Sequence, residues 1–159
     1  LGLKKESFNY KGVLFIGIIL TESGPKTLEY NIRFGDPETQ VLLPGIKNDL
    51  YPYLKACATG SLKDLPEVEL SQEVFLHVVM ASKNYPHPEL SLEHEIQGSA
   101  EKVFYSGVKI EKGKLVNSGG RVLGVTNSGS DIREARLNTY SEVKKIHFQG
   151  MQMRKDIGL

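Results

Sequence analysis

The stretch Leu28-Glu29-Tyr30-Asn31-Ile32-Arg33-Phe34 decides the fold of the first part of the chain. Apolar and polar side chains alternate along it with the period of a β-strand, so the two sets point to opposite faces. We expect the apolar set to enter a core. The other face then presents Glu29, Asn31 and Arg33 in a row, with successive side chains roughly 6.6 Å apart.

The chemistry of this polar row suits a metal-bound phosphate. A carboxylate beside a carboxamide oxygen offers the hard ligands that Mg²⁺ prefers, and a guanidinium binds a phosphate or carboxylate through two parallel hydrogen bonds. The alternative is an ordinary solvent-facing strand, on which Glu, Asn and Arg are common. Alternation alone favours this alternative.

The residues that follow the strand bring the two interpretations into balance. Gly35-Asp36-Pro37-Glu38 places a flexible residue, a helix-capping type and a proline suited to the first helical position directly after the strand. A sharp turn then meets a helix N-terminus, which favours anions. Asp36 also fits a plain helix cap, and Glu38 a plain partner of the helix dipole, so pattern alone leaves both interpretations open.

The composition excludes several classes of protein. The chain has 159 residues, 40% of them hydrophobic and 25% charged, which is typical of one globular domain or two small ones. A formal net charge of +1 gives no electrostatic argument for a nucleic-acid partner. The one cysteine excludes an intramolecular disulfide and a multi-thiolate metal site, and it fits a reducing compartment. We therefore expect a cytoplasmic protein.

The first residues of the chain give no sign of a membrane or export signal. The longest apolar run, residues 13–20, is too short to span a bilayer, so we expect no membrane partner. The opening Leu1-Gly2-Leu3 contains no initiator Met and starts no signal peptide, which indicates a fragment.

The periodicity predicts a sequence of elements in two parts. The first part is a strand buried on both faces, its antiparallel partner, a short helix and a longer helix that ends at Gly60: residues 13–20, 27–34, 37–43 and 49–59. Residues 61–66 mark a domain boundary. The second part is a series of short strands and a closing helix that Gly150 ends: residues 74–81, 102–111, one or two strands within 114–126, and 131–148. Lys112-Gly113 is predicted as a hairpin turn, and Asp131 with Glu134 as a capping box.

Two further patterns carry weaker functional hints. Gly119-Gly120-Arg121 lacks the spacing of a dinucleotide-binding loop and precedes a strand, which favours a close approach between backbones. Arg121 remains a candidate anion contact. The four histidines show no metal-ligand spacing, and His77 is expected to be a hydrogen-bonded core residue within its strand.

A resemblance to a known family starts from the polar row. Glu29-x-Asn31-x-Arg33 on a strand resembles the metal-binding strand of the ATP-grasp enzymes, and its extension over residues 33–40 resembles the signature of the phosphoribosylamine–glycine ligase family. Further stretches that agree in order are residues 10–15, 24–26, 119–126, 146–151 and 154–158. The resemblance covers nearly the whole chain. One departure is Lys83-Asn84, which stands where the family usually has two glycines.

The resemblance implies an ATP-dependent ligation that activates glycine as glycyl phosphate. The amine of 5-phosphoribosylamine then displaces the phosphate and gives glycinamide ribonucleotide. By the resemblance, Glu29 and Asn31 bind Mg²⁺ or Mn²⁺, and Arg33 stabilises the charge that develops on the acyl phosphate. Asp36 is implied to hold the ammonium group of glycine, to cap the helix, or both. Gly35 and Arg121 are implied to contribute to substrate binding, together with Arg33 and Asp36.

The resemblance also sets the expected architecture, an α+β fold. Residues 1–66 are expected to be the carboxy-terminal part of an ATP-grasp domain, built from antiparallel strands and helices. Residues 67–159 are expected to form a small β-rich domain closed by one helix. The family's amino-terminal domain and most ATP-binding parts have no counterpart here, so we expect this chain to be inactive alone and to pack against the rest of its parent enzyme.

Two alternatives stay open at this point. One is a non-catalytic remnant or binding module of the same fold, against which the intact set Glu29, Asn31, Arg33 and Asp36 argues. The other is a different ATP-grasp ligase or a biotin-dependent carboxylase, against which the extension over residues 35–40 argues.

Overall fold

A computed structural model describes residues 2–159, and Leu1, with which the first predicted domain begins, lies outside them. Over this range the helices are α1 (Gly2–Lys5), α2 (Thr39–Leu42), α3 (Leu50–Thr59) and α4 (Ile132–Val143). The strands are β1 (Phe15–Thr21), β2 (Gly24–Asn31), β3 (Val74–Ala81), β4 (Val103–Tyr105), β5 (Val108–Glu111), β6 (Lys114–Asn117) and β7 (Arg121–Gly129). These elements fall into two compact units. The first unit contains residues 2–39 and 46–70, and the second unit contains residues 40–45 and 71–159. The α+β class is confirmed.

The first unit is built on an antiparallel hairpin of β1 and β2, as predicted. Phe15 pairs with Asn31 and Gly17 with Glu29, and the register then shifts because Leu28 is an extra residue in β2. The second strand occupies residues 24–31 rather than the predicted 27–34.

The burial predicted for this hairpin is wrong in the chain as it stands. Residues 13–20 were expected to be covered on both faces, and the apolar set of the next strand to enter a core. Instead one face, which we call the hairpin apolar face, stays open at Ile16, Ile18, Leu20, Leu28 and Tyr30, whose exposed fractions run from 42 to 83%. The two strands form a sheet of their own. Hydrophobicity reports that a surface favours burial, but it does not report which segment covers it.

The helices of the first unit differ in how well the sequence specifies them. In α3 the side chain of Asp49 accepts a hydrogen bond from the amide of Tyr51 at 3.0 Å, and Gly60 ends the helix with a φ of 87°. That helix and its C-cap are confirmed, although Leu54, expected inside, is 43% exposed. The helix predicted over 37–43 starts only at Thr39, because residues 35–38 form a turn closed by the Thr39 amide on the Gly35 carbonyl at 3.3 Å.

The second unit packs α4 against a three-stranded antiparallel sheet in the order β3, β7, β4. Strand β3 has the predicted bounds, and it buries alternate residues from Leu76 to Met80. Its partner β7 is the central strand. The core consists of Leu76, Val78, Met80, Val122, Leu123, Val125, Ala135, Val143, Ile146 and Phe148.

The single strand predicted over 102–111 is wrong. It breaks into β4 and β5 at Ser106-Gly107, because the Gly107 amide donates to the Arg121 carbonyl at 2.9 Å and turns the chain there. The hairpin turn at Lys112-Gly113 between β5 and β6 is confirmed, with both residues at positive φ (50° and 78°).

The last helix begins as predicted and ends early. Asp131 caps α4 by accepting from the Glu134 amide at 2.9 Å. The helix stops at Val143 rather than residue 148, and Gly150 therefore does not end it. After the helix, Ile146 and Phe148 alternate into the core while His147 exchanges backbone hydrogen bonds with Gln97, so an extended segment buries both better than helix does. Among residues 2–159 no helix has the length and apolarity needed to cross a bilayer.

Candidate active site

Strand β2 places the two predicted metal ligands on one face. Glu29 and Asn31 are two residues apart in the strand, so their side chains point the same way. Gly17 lies opposite Glu29 on β1, and a Cβ added to Gly17 would lie 3.0 Å from Glu29 Cγ. The glutamate side chain therefore extends across the space that the glycine leaves open.

Gly17 is a residue of the candidate site that sequence reasoning missed. The signal was present, because Gly17 is a lone glycine inside an otherwise apolar strand, and such a glycine marks a place where another group approaches the backbone closely.

Arg33 does not continue the polar row. Strand β2 ends at Asn31, and Arg33 lies in the bend that follows. Its side chain is exposed, and Nη1 donates to the carbonyl oxygen of Phe34 at 2.7 Å. The structure thus aligns Glu29 and Asn31 on the strand and places the guanidinium beyond the end of the strand.

Residues 35–39, which we call the signature turn, fold tightly around Gly35. Gly35 is buried, and a Cβ at this position would collide with the carboxylate of Glu38 and lie 3.0 Å from the Phe15 ring. Phe15 also pairs with Asn31, so the turn folds back close to the end of the hairpin that carries Asn31. Glu38, which the sequence indicated only as a partner of the helix dipole, is thereby folded against the turn.

The anion site expected at the start of α2 is not supported. Asp36 is exposed in the signature turn. The helix that follows has four residues and starts at Thr39, so Pro37 does not occupy its first turn. A single helical turn has too few aligned peptide dipoles to act as the expected anion site.

Arg121 belongs to the second unit, at the start of β7 and opposite Ala81. The glycines before it make the close backbone approach that the sequence predicts. A Cβ on Gly119 would lie 3.0 Å from the Cα of Gly107, and one on Gly120 would collide with the Tyr85 ring. The two glycines therefore let neighbouring segments close around the Arg121 backbone.

Two buried polar side chains, those of Ser82 and Asn117, hold this glycine pair through hydrogen bonds. Ser82 donates from its amide to the Gly120 carbonyl and from its hydroxyl to the Gly119 carbonyl, each at 2.8 Å. Asn117 donates to the Ser82 hydroxyl at 2.7 Å, and both side chains are fully buried. Asn84 stands where the family usually has a glycine, and its φ of 73° explains why asparagine is accepted there, because asparagine tolerates this conformation best after glycine.

Two oxygen donors on β2 are the basis of the candidate metal site. Within residues 2–159 no group of three or more His, Cys, Asp or Glu side chains could hold a metal. Glu29 and Asn31 supply two oxygen donors, one of them an amide, which fits a hard cation whose other ligands come from phosphate and water. A direct hydrogen bond from Lys109 lowers the pKa of the Glu93 carboxyl group. This pair lies in the second unit and is not part of the β2 face.

Comparisons with known proteins agree along the chain. The model of the family described as phosphoribosylglycinamide synthetase, C domain, matches residues 75–159, and the model of its ATP-grasp (A) domain matches residues 1–39. A phosphoribosylamine–glycine ligase of Caldanaerobacter subterraneus is 45% identical over 98% of this chain and 38% of that protein. The human trifunctional purine biosynthetic protein adenosine-3 is 43% identical over 99% of this chain and 16% of its own length.

Two solved structures superpose on nearly the whole of this chain. The crystal structure of phosphoribosylamine–glycine ligase from Thermotoga maritima superposes with a TM-score of 0.85 and 34% identity, over 98% of this chain and 39% of that one. Urea carboxylase from Kluyveromyces lactis superposes with a TM-score of 0.62 at 17% identity, over 92% of this chain and 14% of that one, which shows a shared fold. This chain spans 38% of the length of the Caldanaerobacter ligase.

Proposed function

Because this chain belongs to the phosphoribosylglycinamide synthetase family, we propose that it is the carboxy-terminal portion of an ATP-dependent ligase that joins glycine to 5-phosphoribosylamine. The observation that carries the proposal is the 45% identity, over 98% of this chain, to a relative named for that ligation. In the proposed reaction the glycine carboxylate attacks the terminal phosphorus of ATP and releases ADP. The amine then attacks the carbonyl carbon of glycyl phosphate and releases inorganic phosphate.

We propose the same division of the chain as the sequence indicates. Residues 1–66 are the end of the ATP-grasp domain, and residues 67–159 are the family's carboxy-terminal domain. The ranges of the two family models, 1–39 and 75–159, support this assignment.

Glu29 and Asn31 are the proposed ligands of Mg²⁺ or Mn²⁺. Their oxygen donors share one face of β2, and Gly17 leaves the space beside Glu29 open. The ion, when bound, neutralises the phosphates of ATP during phosphoryl transfer. The role of the strand is to hold the carboxylate and the carboxamide at a fixed spacing before the ion arrives, which avoids reorganisation during the reaction.

The remaining site residues are proposed to contact substrate. Arg33, exposed just beyond β2, presents a cation to the negative charge of the acyl phosphate. Asp36 is the proposed partner of the glycine ammonium, and Gly35 allows the backbone to approach the substrate closely. Arg121 is the proposed contact to a substrate anion from the second unit.

The rest of the parent enzyme is the proposed partner of the hairpin apolar face. The exposed side chains of this face, such as Leu20 at 83% and Leu28 at 67%, are neighbours on one sheet face, and contiguous exposed apolar patches mark interaction sites. The relatives are more than twice as long as this chain, and we propose that the additional part of the parent covers this face. We propose that this chain does not turn over alone and that its parent acts in the cytoplasm, as the single cysteine indicates.

The experiment that tests this function compares the parent protein with the isolated chain. ADP release is measured with ATP and Mg²⁺, with and without glycine and 5-phosphoribosylamine. We expect ADP release from the parent to need glycine and from the isolated chain to be undetectable. Bicarbonate dependence without a response to glycine would instead favour a carboxylase. An inactive parent would favour a non-catalytic remnant, and robust turnover by the isolated chain would contradict its assignment as an inactive portion.

A further inference from the structure

Two hydrogen bonds hold the segment that follows the signature turn. Gln40–Gly45 belongs to the second unit. At its start the hydroxyl of Thr126 donates to the Gln40 carbonyl at 2.8 Å. At its end the amide of Ser71 donates to the Gly45 carbonyl at 2.7 Å. Gly45 also lies beneath the ring of Phe75, where a Cβ would be only 3.3 Å from the ring.

The hydrogen bond from the Thr126 hydroxyl to the Gln40 carbonyl replaces a helical hydrogen bond that the sequence prevents. Gln40 lies in α2, where its carbonyl would ordinarily accept from the amide four residues on. That residue is Pro44, which has no N–H to donate. The Thr126 hydroxyl takes the place of the missing amide, and since Thr126 is fully buried, water does not compete for the same bond.

His77 determines the orientation of the Thr126 hydroxyl. The hydroxyl has one hydrogen, which it gives to Gln40, so its oxygen accepts from His77 Nδ1 at 2.8 Å. The network therefore assigns the proton to Nδ1. The imidazole is itself confined, because it meets the Phe104 ring edge-on at 6.1 Å between centroids and lies against Gly124, where a Cβ would collide with it.

We propose that Thr126, oriented by His77, is a positioning residue for the signature turn. Gln40 is covalently joined to Thr39, whose amide and hydroxyl both donate to the Gly35 carbonyl. Fixing the Gln40 carbonyl therefore limits how far the turn can move. The consequence for catalysis rests on the proposed function, in which Asp36 of that turn holds the ammonium group of glycine and Gly35 lets the backbone approach the substrate. Thr126 itself contacts no reacting atom.

The first test needs no assumption about function. Thr126→Val removes the hydroxyl at nearly constant volume, and amide hydrogen exchange is then followed in the peptide that covers residues 39–45. We expect exchange there to accelerate by about tenfold, the effect of losing one buried hydrogen bond. Thr126→Ser should restore protection, because it keeps the hydroxyl.

Thr139→Val is the matched control for this test. Thr139 is also fully buried in the second unit, and its hydroxyl donates to the Ala135 carbonyl at 2.7 Å. We expect this variant to destabilise the unit without selectively accelerating residues 39–45. Equal effects of the two variants on that peptide would overturn the proposal. If Thr126→Val does not fold, His77→Phe tests the same chain of bonds, and unchanged exchange over 39–45 in that variant would also overturn it.

The second test uses the parent enzyme. We expect Thr126→Val to raise the KM for glycine by about tenfold or more, since small displacements of a positioned group have effects of that size, and to leave the KM for ATP unchanged. Thr139→Val should change neither. A wild-type parent without glycine-dependent ADP release would refute the proposed function, while the exchange test would still decide the anchoring. An active parent in which Thr126→Val leaves the glycine KM unchanged would refute the positioning role.

Discussion

Replacement of Ile18 by threonine is expected to cost stability in the parent protein and almost none in this chain. Ile18 lies in the middle of β1 on the hairpin apolar face, and 57% of it is exposed. Threonine keeps the β-branch and therefore the strand propensity. The substitution isolates one variable, which is whether the apolar side chain is covered.

The magnitude follows from the exposure. Fully burying an isoleucine side chain contributes roughly 1.5–3 kcal/mol, and a side chain that is more than half exposed obtains only part of this. Surface substitutions of this kind usually change stability by no more than about 0.5 kcal/mol. If the rest of the parent covers Ile18, replacing its ethyl group with a buried hydroxyl costs roughly 2 kcal/mol, which is a change of about 30-fold in the opening equilibrium.

The assay is amide hydrogen exchange in β1 and β2, measured in the isolated chain and in the parent. Exchange reports local opening, which suits a two-stranded hairpin that is only marginally stable by itself. We expect similar exchange for wild type and Ile18→Thr in the chain, and exchange about 30-fold faster for the variant in the parent.

Two control variants define the limits of the measurement. Val78→Thr places the same hydroxyl at a fully buried position of β3 and should cost stability in both proteins. Ile110→Thr changes a side chain that is 70% exposed on β5, outside the hairpin apolar face, and should be neutral in both. An equal cost of Ile18→Thr in the chain and in the parent, or no cost in either, would refute the inference that the parent covers this face.

Four further predictions test the site and the fold. Glu29→Ala in the parent should abolish glycine-dependent ADP release by weakening metal binding, and an unchanged rate at saturating Mg²⁺ would contradict its assignment as a ligand. Arg33→Lys should also lower the rate, since lysine cannot form a bidentate contact; a wild-type rate would make Arg33 an ordinary surface residue. Gly107→Ala should destabilise the second unit by roughly 1–3 kcal/mol, because its Cβ would lie 2.7 Å from the Arg121 carbonyl oxygen, and an unshifted urea midpoint would disprove this. A hydrogen bond from the Ser130 hydroxyl lowers the pKa of Glu134, so this carboxylate adds stability above the ordinary glutamate pKa that is lost as the pH falls through the lowered value. Thermal unfolding of Glu134→Gln should therefore show a smaller loss of stability across that acidic range than wild type, and identical pH profiles would contradict the linkage.

Sequence alone predicted those parts of the fold that local signals determine. Strand β3, the turn at Lys112-Gly113 and the two caps, Asp131 and Gly60, were correct because each depends on alternation, on φ preference or on one short-range hydrogen bond. The break at Ser106-Gly107 was missed because its cause lies at Arg121, which no window around residue 107 contains. The early end of α4 was missed for a similar reason, since residues 144–148 fit a helix until their pairing with Gln97 is known.

The arrangement of the candidate site residues could be predicted only in part, for the same reasons. Alternation was sufficient to place Glu29 and Asn31 on one face of the strand. It was not sufficient for Arg33, because alternation does not show where the strand stops. The role of Gly17 depends on the register between two strands, and the fold of Glu38 against Gly35 depends on a tight turn. A single segment of sequence specifies neither.

The central position of β7 has a consequence for how the second unit folds. Strand β3 is synthesised before β7. Its whole length, from Val74 paired with Gly129 to Ala81 paired with Arg121, nevertheless depends on β7 for its hydrogen bonds. Strand β4 also pairs with β7 rather than with β3. During synthesis the hydrogen-bonding edges of both strands therefore stay unpaired, and their apolar side chains stay exposed, until β7 and the segment that carries Phe148 have emerged from the ribosome. A ribosome-bound chain that ends before β7 should thus be a strong chaperone substrate, and one that has released residue 148 from the exit tunnel should become resistant to protease in a single step.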